Sequence, residues 1–203
     1  MFDAQIRRAL SPALNAVGTG LANVGVRPLA LTGVGWLAGV GACVAVGDGR
    51  WLLGLLLWLF NRLCDGLDGP VARAHSPSDL GGFLDIVADF SIYAGFVVGV
   101  AVAVPDARVA ALALLTAYYV SGAAFLALSS LLERGGSSLG DERSLRFVGG
   151  LAEGTETVIV YVLFCLLPSH AALIAWIFTA AVAVTAAQRI RYGIQVLGRT
   201  PSK

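Results

Sequence analysis

The chain has 203 residues, 57% of them hydrophobic and 13% charged, and a formal net charge of +1. A soluble domain carries roughly one charged residue in four, so this composition excludes an ordinary soluble fold and points to a polytopic membrane protein. Neither the net charge nor any basic cluster suggests nucleic acid as a partner. Cys43, Cys64 and Cys165 are odd in number, widely spaced and set in apolar runs. They read as small buried hydrophobes rather than as disulfides or metal ligands.

Phe2 to Val17 place Ile6, Ala9, Leu10, Ala13, Leu14 and Val17 at helical spacing beside Arg7 and Arg8. That pattern is expected of an amphipathic helix lying on a membrane surface, with a soluble leader as the competing reading. No continuous apolar core precedes a small-residue cleavage site between Met1 and Val26, so the first span is expected to target the chain. Gly18, Gly20 and Gly25 are expected to loosen it ahead of Arg27 and Pro28. A first span follows from Leu29 to about Val46, with Gly33, Gly35, Gly39 and Gly41 spaced to let helices approach closely in lipid. Asp48, Gly49 and Arg50 turn the chain into a second span, from Trp51 through Phe60 into Asn61, Arg62 and an acidic stretch.

The third span runs from about Leu80 to Val104, and the fourth from about Val109 to Leu132, with a turn at Pro105, Asp106 and Arg108. Glu133 to Arg146 is the longest polar connection. A fifth span, about Phe147 to Leu167, carries Glu153 and Glu156 near its start; Pro168 to His170 lead into the sixth, about Ala171 to Leu197. Each is close to the about 20 residues that a span needs. The expected architecture is an all-α membrane protein, six transmembrane helices preceded by an N-terminal amphipathic surface helix. It forms one domain over residues 1–203, with 1–28 the amphipathic segment and 29–197 the six-helix bundle. In this topology twelve of the 14 Lys and Arg fall on one side, and only Arg50 and Arg108 on the other. The positive-inside rule then turns both termini and the acidic stretch to the cytoplasmic face of a multi-pass inner-membrane protein.

The acidic stretch is the anomaly. Asp65, Asp68, Asp85 and Asp89 lie between apolar segments, although a charge at the bilayer centre costs roughly 3 kcal/mol even on lenient scales. Spacings of three and four put each pair on one helical face, and two antiparallel helices joined by the short Arg73–Leu80 link bring the pairs together. Four close carboxylates need a counter-charge, and a hard divalent cation with oxygen ligands is the natural one. Two such ions about 4 Å apart can clamp a transferring phosphoryl group. His75 stands alone in the link, which argues against zinc. Gly69 and Ala72 lack bulk beside the acids, either to admit a flat or charged ligand or to pack helices. Arg73 is either a phosphate partner or a membrane anchor.

At this spacing the sequence resembles the CDP-alcohol phosphatidyltransferase family, whose signature is D-x2-D-G-x2-A-R-x8-G-x3-D-x3-D. Asp65, Asp68, Gly69, Ala72, Arg73, Gly81, Asp85 and Asp89 carry it, with one departure: seven residues separate Arg73 from Gly81, one fewer than the signature. The missing residue is expected in the link, since Gly81, Asp85 and Asp89 keep helical spacing. The resemblance implies that Asp65, Asp68 and Asp85 bind divalent ions, Mg²⁺ or Mn²⁺ and two in number, with Asp89 a ligand and the general base. It implies that Gly69, Ala72 and Arg73, with Asp65 and Asp68, hold the cytidine nucleotide of CDP-diacylglycerol or another CDP-alcohol. It further implies a homodimer, and attack of an acceptor hydroxyl on the lipid-linked phosphorus with release of CMP, a step of phospholipid biosynthesis.

The acceptor is expected to be a small polar or phosphorylated alcohol such as glycerol 3-phosphate, with inositol phosphate or serine as alternatives. D-G-L-D-G-x-V-A-R is also similar to phosphatidylserine synthases and does not decide among them. Arg146, Arg189 and Arg191 are candidates for an acceptor phosphate, or else surface anchors. Glu153 and Glu156 either pair with Arg146 or line the acceptor pocket. A transporter would spread its acids along several helices, with broken helices near the midplane, whereas here the acids gather at one end and no helix-breaking proline is expected inside the spans. A non-catalytic scaffold would not need the full signature.

Overall fold

The computed structural model describes residues 3–134, 152 and 154–198. Within them the chain is all-helical: α1 (Asp3–Asn23), α2 (Pro28–Gly47), α3 (Trp51–His75), α4 (Asp79–Ala103), α5 (Arg108–Arg134), α6 (Gly154–Leu166) and α7 (Ala171–Leu197). One-turn 3₁₀ helices at Pro105–Ala107 and Pro168–His170 make the turns into α5 and α7. Four helices are long and apolar enough to cross a membrane, namely α2, α4, α5 and α7. α3 is as long as α4, but Arg62, Asp65 and Asp68 interrupt its apolar stretch. α6 is described over 13 residues only, and the expected beginning of the fifth span lies outside the described residues.

The polar punctuation sets the boundaries. Pro28 opens α2 where its missing N–H costs nothing, and Gly49 turns the chain towards α3 with φ +74°, a conformation that a side chain resists. The Ser78 hydroxyl caps α4 by accepting from the Gly81 amide at 3.1 Å. One expectation needs correction. Gly18 and Gly20 do not loosen the chain; α1 runs through both to Asn23, and Gly18 lies against α3 so closely that a Cβ there would collide with Pro70. α3 also carries a proline, Pro70, and continues through it unbroken. Proline has no amide hydrogen to return to the carbonyl four residues earlier, that of Gly66.

Some small residues of α2 do what lipid requires of them, although Gly33 is exposed with nothing within 4 Å of where a Cβ would stand. Gly35, Gly39, Ala42, Ala45 and Val46 are buried, so α2 packs backbone-close against α3 and α4. A Cβ on Gly99 of α4 would stand 2.6 Å from the Cys43 carbonyl oxygen of α2. An aromatic core lies beside these contacts. Trp58, Phe96, Tyr161 and Phe164 are fully buried, and the Phe96 and Tyr161 rings stack with centroids 4.5 Å apart. Many large apolar side chains face outward, among them Leu37, Leu52, Val109 and Ile177, as a lipid-facing surface demands. All three cysteines are free.

Candidate metal and phosphate site

The apolar run of α3 carries Asp65 and Asp68 at its far end. The cap at Ser78 starts α4 early enough to place Asp85 and Asp89 opposite them. Only Ser76, Pro77 and Ser78 separate the two helices. Ser76 takes φ 154° in this link, the one positive φ outside glycine among the described residues. That φ falls in the link where the chain is one residue shorter than the signature, while Gly81, Asp85 and Asp89 all lie within α4.

One carboxylate oxygen from each of Asp65, Asp68 and Asp85 lies within 4.8 Å of the others. Like charges at that separation repel by roughly 3 kcal/mol per pair at an effective dielectric near 20, so the cluster calls for a cation. Three convergent carboxylates are the donor set of a hard divalent ion, and with no Cys or His among them they fit Mg²⁺ or Mn²⁺ better than a softer metal. Thr32 of α2 completes the support, its hydroxyl donating to Asp68 Oδ2 at 3.0 Å. Thr32, Gly35 and Trp36 of α2 form one wall of the cleft, Asn61 joins the α3 acids on another, and Ala88 lies between the α4 acids.

Asp89 shares this cleft but meets a different partner. Its Oδ1 accepts from Arg62 Nη2 at 2.7 Å, and Arg62 Nη1 stands 3.5 Å from Asp65 Oδ2. The same guanidinium donates through Nε to Asn61 Oδ1 at 2.9 Å and through Nη1 to the Tyr93 hydroxyl at 2.8 Å. Asn61 in turn donates to the Gly35 carbonyl of α2 at 2.9 Å. Arg62, Thr32, Asn61 and Tyr93 were not singled out from the sequence. Arg62 was visible there only as one more cytoplasmic cation, and nothing local marks Thr32.

The expected nucleotide residues sit beyond the acids on α3. Arg73 is exposed and donates to Asn15 Oδ1 of α1 at 2.9 Å. Among the described residues, a Cβ at Gly69 would meet only Arg73 Nη1, at 3.5 Å. Among the described residues no helix packs closely on Gly69. Of the expected acceptor residues, Arg189 ties α7 to α5, donating to the Ser121 hydroxyl at 2.8 Å and lying 5.1 Å from the Phe125 ring centroid. Arg191 is exposed. Glu156 stands in the first turn of α6. Arg146 and Glu153 lie outside the described residues.

A family model described as CDP-alcohol phosphatidyltransferase matches residues 26–188. The inner membrane protein YnjF of Escherichia coli (strain K12) is 37% identical over 203 residues, 97% of each chain. The bifunctional IPC transferase and DIPP synthase of Archaeoglobus fulgidus is 30% identical over 180 residues, covering 88% of this chain but 35% of that longer one. Among solved structures, phosphatidylinositol phosphate synthase of Mycobacterium tuberculosis with CDP-DAG bound gives a TM-score of 0.70 at 22% identity, over 89% of this chain and 93% of that one. The same enzyme in complex with manganese and citrate also gives 0.70 at 22% identity, over 89% and 88%. At that identity the likeness is one of fold.

Proposed function

The chain belongs to the CDP-alcohol phosphatidyltransferase family and is a transferase of substituted phosphate groups, and from that premise we propose that it moves a phosphatidyl group from CDP-diacylglycerol to a small polar alcohol, releasing CMP. The observation that carries this reading is the convergence of Asp65, Asp68 and Asp85 within 4.8 Å, with Asp89 on the same cleft. CDP-DAG and manganese, bound in structures of the same fold, support the choice of donor and of cation.

In this reading Asp65, Asp68 and Asp85 hold the divalent cation, with Asp89 available to a second. When bound, the cation neutralises charge on the phosphates and lowers the cost of the developing negative charge. Gly69, Ala72 and Arg73 receive the cytidine nucleotide, Arg73 exchanging Asn15 for a phosphate oxygen. The Asp89 oxygen not engaged by Arg62 takes the proton of the acceptor hydroxyl. That hydroxyl oxygen bonds to the lipid-linked phosphorus as the bond to CMP breaks, and CMP departs with its own phosphate. Arg189 and Arg191, together with Arg146 and Glu153, serve the acceptor, of which glycerol 3-phosphate is the leading choice and inositol phosphate or serine the alternatives. The single domain, residues 1–203, spans the inner membrane six times, with α3, interrupted by charge, and α6, described over only 13 residues, the two spans that do not qualify by length and composition. α1 lies along the surface as an amphipathic helix, both termini and the site face the cytoplasm, and the chain pairs as a homodimer.

The test is CMP release from CDP-diacylglycerol by purified protein, with Mg²⁺ or Mn²⁺ and each acceptor in turn. Release that depends on glycerol 3-phosphate and stops on chelation is the expected result. Release with inositol phosphate or serine instead would move the acceptor without touching the reaction. No release with any acceptor, despite measurable binding of the CDP-lipid, would remove phosphatidyl transfer from the reading.

A further inference from the structure

We infer that Arg62 is a positioning residue for this transfer: its guanidinium fixes the Asp89 carboxylate, leaving that group one oxygen for chemistry. The inference rests on the proposed function and adds to it a residue outside the signature. A cation that merely anchors a helix at the surface keeps its head in water. Arg62 does the opposite, with its side chain 10% exposed. Its guanidinium carbon lies 4.6 Å from the Trp58 ring centroid and 5.0 Å from that of Tyr93, so aromatic faces hold the cation while its edges donate hydrogen bonds.

Each contact is itself held. Asn61, which takes the Nε hydrogen, is fixed to α2 through the Gly35 carbonyl. Tyr93, which takes an Nη1 hydrogen, has its backbone carbonyl bound by the Tyr161 hydroxyl of α6 at 2.7 Å. The Nη2 bond to Asp89 is thus the end of a chain of contacts that joins α2, α3, α4 and α6. A planar fork anchored in this way sets the rotation of the carboxylate as well as its place, which a flexible ammonium cannot do. The charge matters too: Asp65 and Asp89 both face Arg62, and its fixed positive charge offsets their mutual repulsion.

The test compares Arg62→Gln, Arg62→Lys and Tyr93→Phe with wild type in CMP release. It also measures Mn²⁺ affinity by electron paramagnetic resonance without substrate, and the thermal midpoint. Misplaced reacting groups lose about 100-fold in turnover. That loss is expected in kcat for Arg62→Gln, with about tenfold for Arg62→Lys and a smaller one for Tyr93→Phe. The KM for the CDP-lipid should stay within about threefold, because Gly69, Ala72 and Arg73 are untouched, and Mn²⁺ affinity should not fall in Arg62→Gln, because losing a positive charge beside Asp65 and Asp89 strengthens their pull on a cation. A wild-type kcat in Arg62→Gln would make Arg62 an anchor and overturn the inference. So would losses in which Mn²⁺ affinity and thermal midpoint fall in step with kcat in all three variants, since that pattern marks a structural part. Silence of the wild type with every acceptor would overturn the functional reading and the inference with it, whereas normal wild-type turnover with unchanged variants overturns the inference alone.

Discussion

Asp85 and Asp89 are one helical turn apart on α4, yet Asp85 joins the acid triad and Asp89 turns to a guanidinium. The acids stood out in the sequence because charge inside apolar segments is costly and their spacing fits one helical face. Arg62 did not stand out, because a lone cation at the end of an apolar run is what the positive-inside rule provides everywhere. Its role depends on Trp58, Tyr93 and Asp89, and two of these lie on another helix. Thr32 is 36 residues from the Asp68 carboxylate that it supports, and a threonine in an apolar run carries no signal of that. The division between the acids leads to a prediction. Asp89→Asn should lower CMP release by at least about a hundredfold, the contribution of a general base. Binding of the cytidine nucleotide, assigned to Gly69, Ala72 and Arg73, should survive in an equilibrium binding assay. Near-normal turnover would remove Asp89 as the base.

At the scale of elements, the turns were legible because glycine, proline and charge punctuate the apolar runs, as at Asp48–Arg50 and Pro105. What was not legible was tertiary. Gly18 and Gly20 looked like breaks, but α1 runs through both, and the close approach to Pro70 uses the missing side chain of Gly18. The glycines of α2 and α4 likewise differ in ways that spacing cannot reveal. Gly99 has the Cys43 carbonyl at 2.6 Å from where a Cβ would stand, whereas Gly33 has nothing within 4 Å. Gly99→Val should therefore push α2 and α4 apart and cost about 1–3 kcal/mol or more, as overpacking does. Gly33→Ala should be neutral or slightly stabilising. Unfolding in detergent micelles against added sodium dodecyl sulfate measures both, and equal midpoints for the two variants would contradict the packing of α2 on α4.

For the whole molecule, the sequence carried the class of protein and the clustering of its acids, since composition and charge asymmetry are global quantities. It could not say which helices touch: Tyr161 of α6 reaches both the Tyr93 backbone and the Tyr118 hydroxyl of α5, contacts made by the fold alone. The proposed orientation is open to direct measurement. A cysteine placed at Asp106, on the exposed turn before α5, should react in intact cells with a membrane-impermeant maleimide. One at Ser76, in the exposed link beside the acids, should react only after the membrane is opened. The reverse pattern would invert the molecule. Pro70 bears on the same question from within α3. The Gly66 carbonyl has lost its helical partner there, and an oxygen in that condition is costly in hydrocarbon unless another donor reaches it. That turn of α3 therefore favours a level in the membrane that water reaches, and resists being drawn deeper. In the topology proposed above, the proline would then act as a float for Asp65 and Asp68, holding them at the depth of the lipid phosphates.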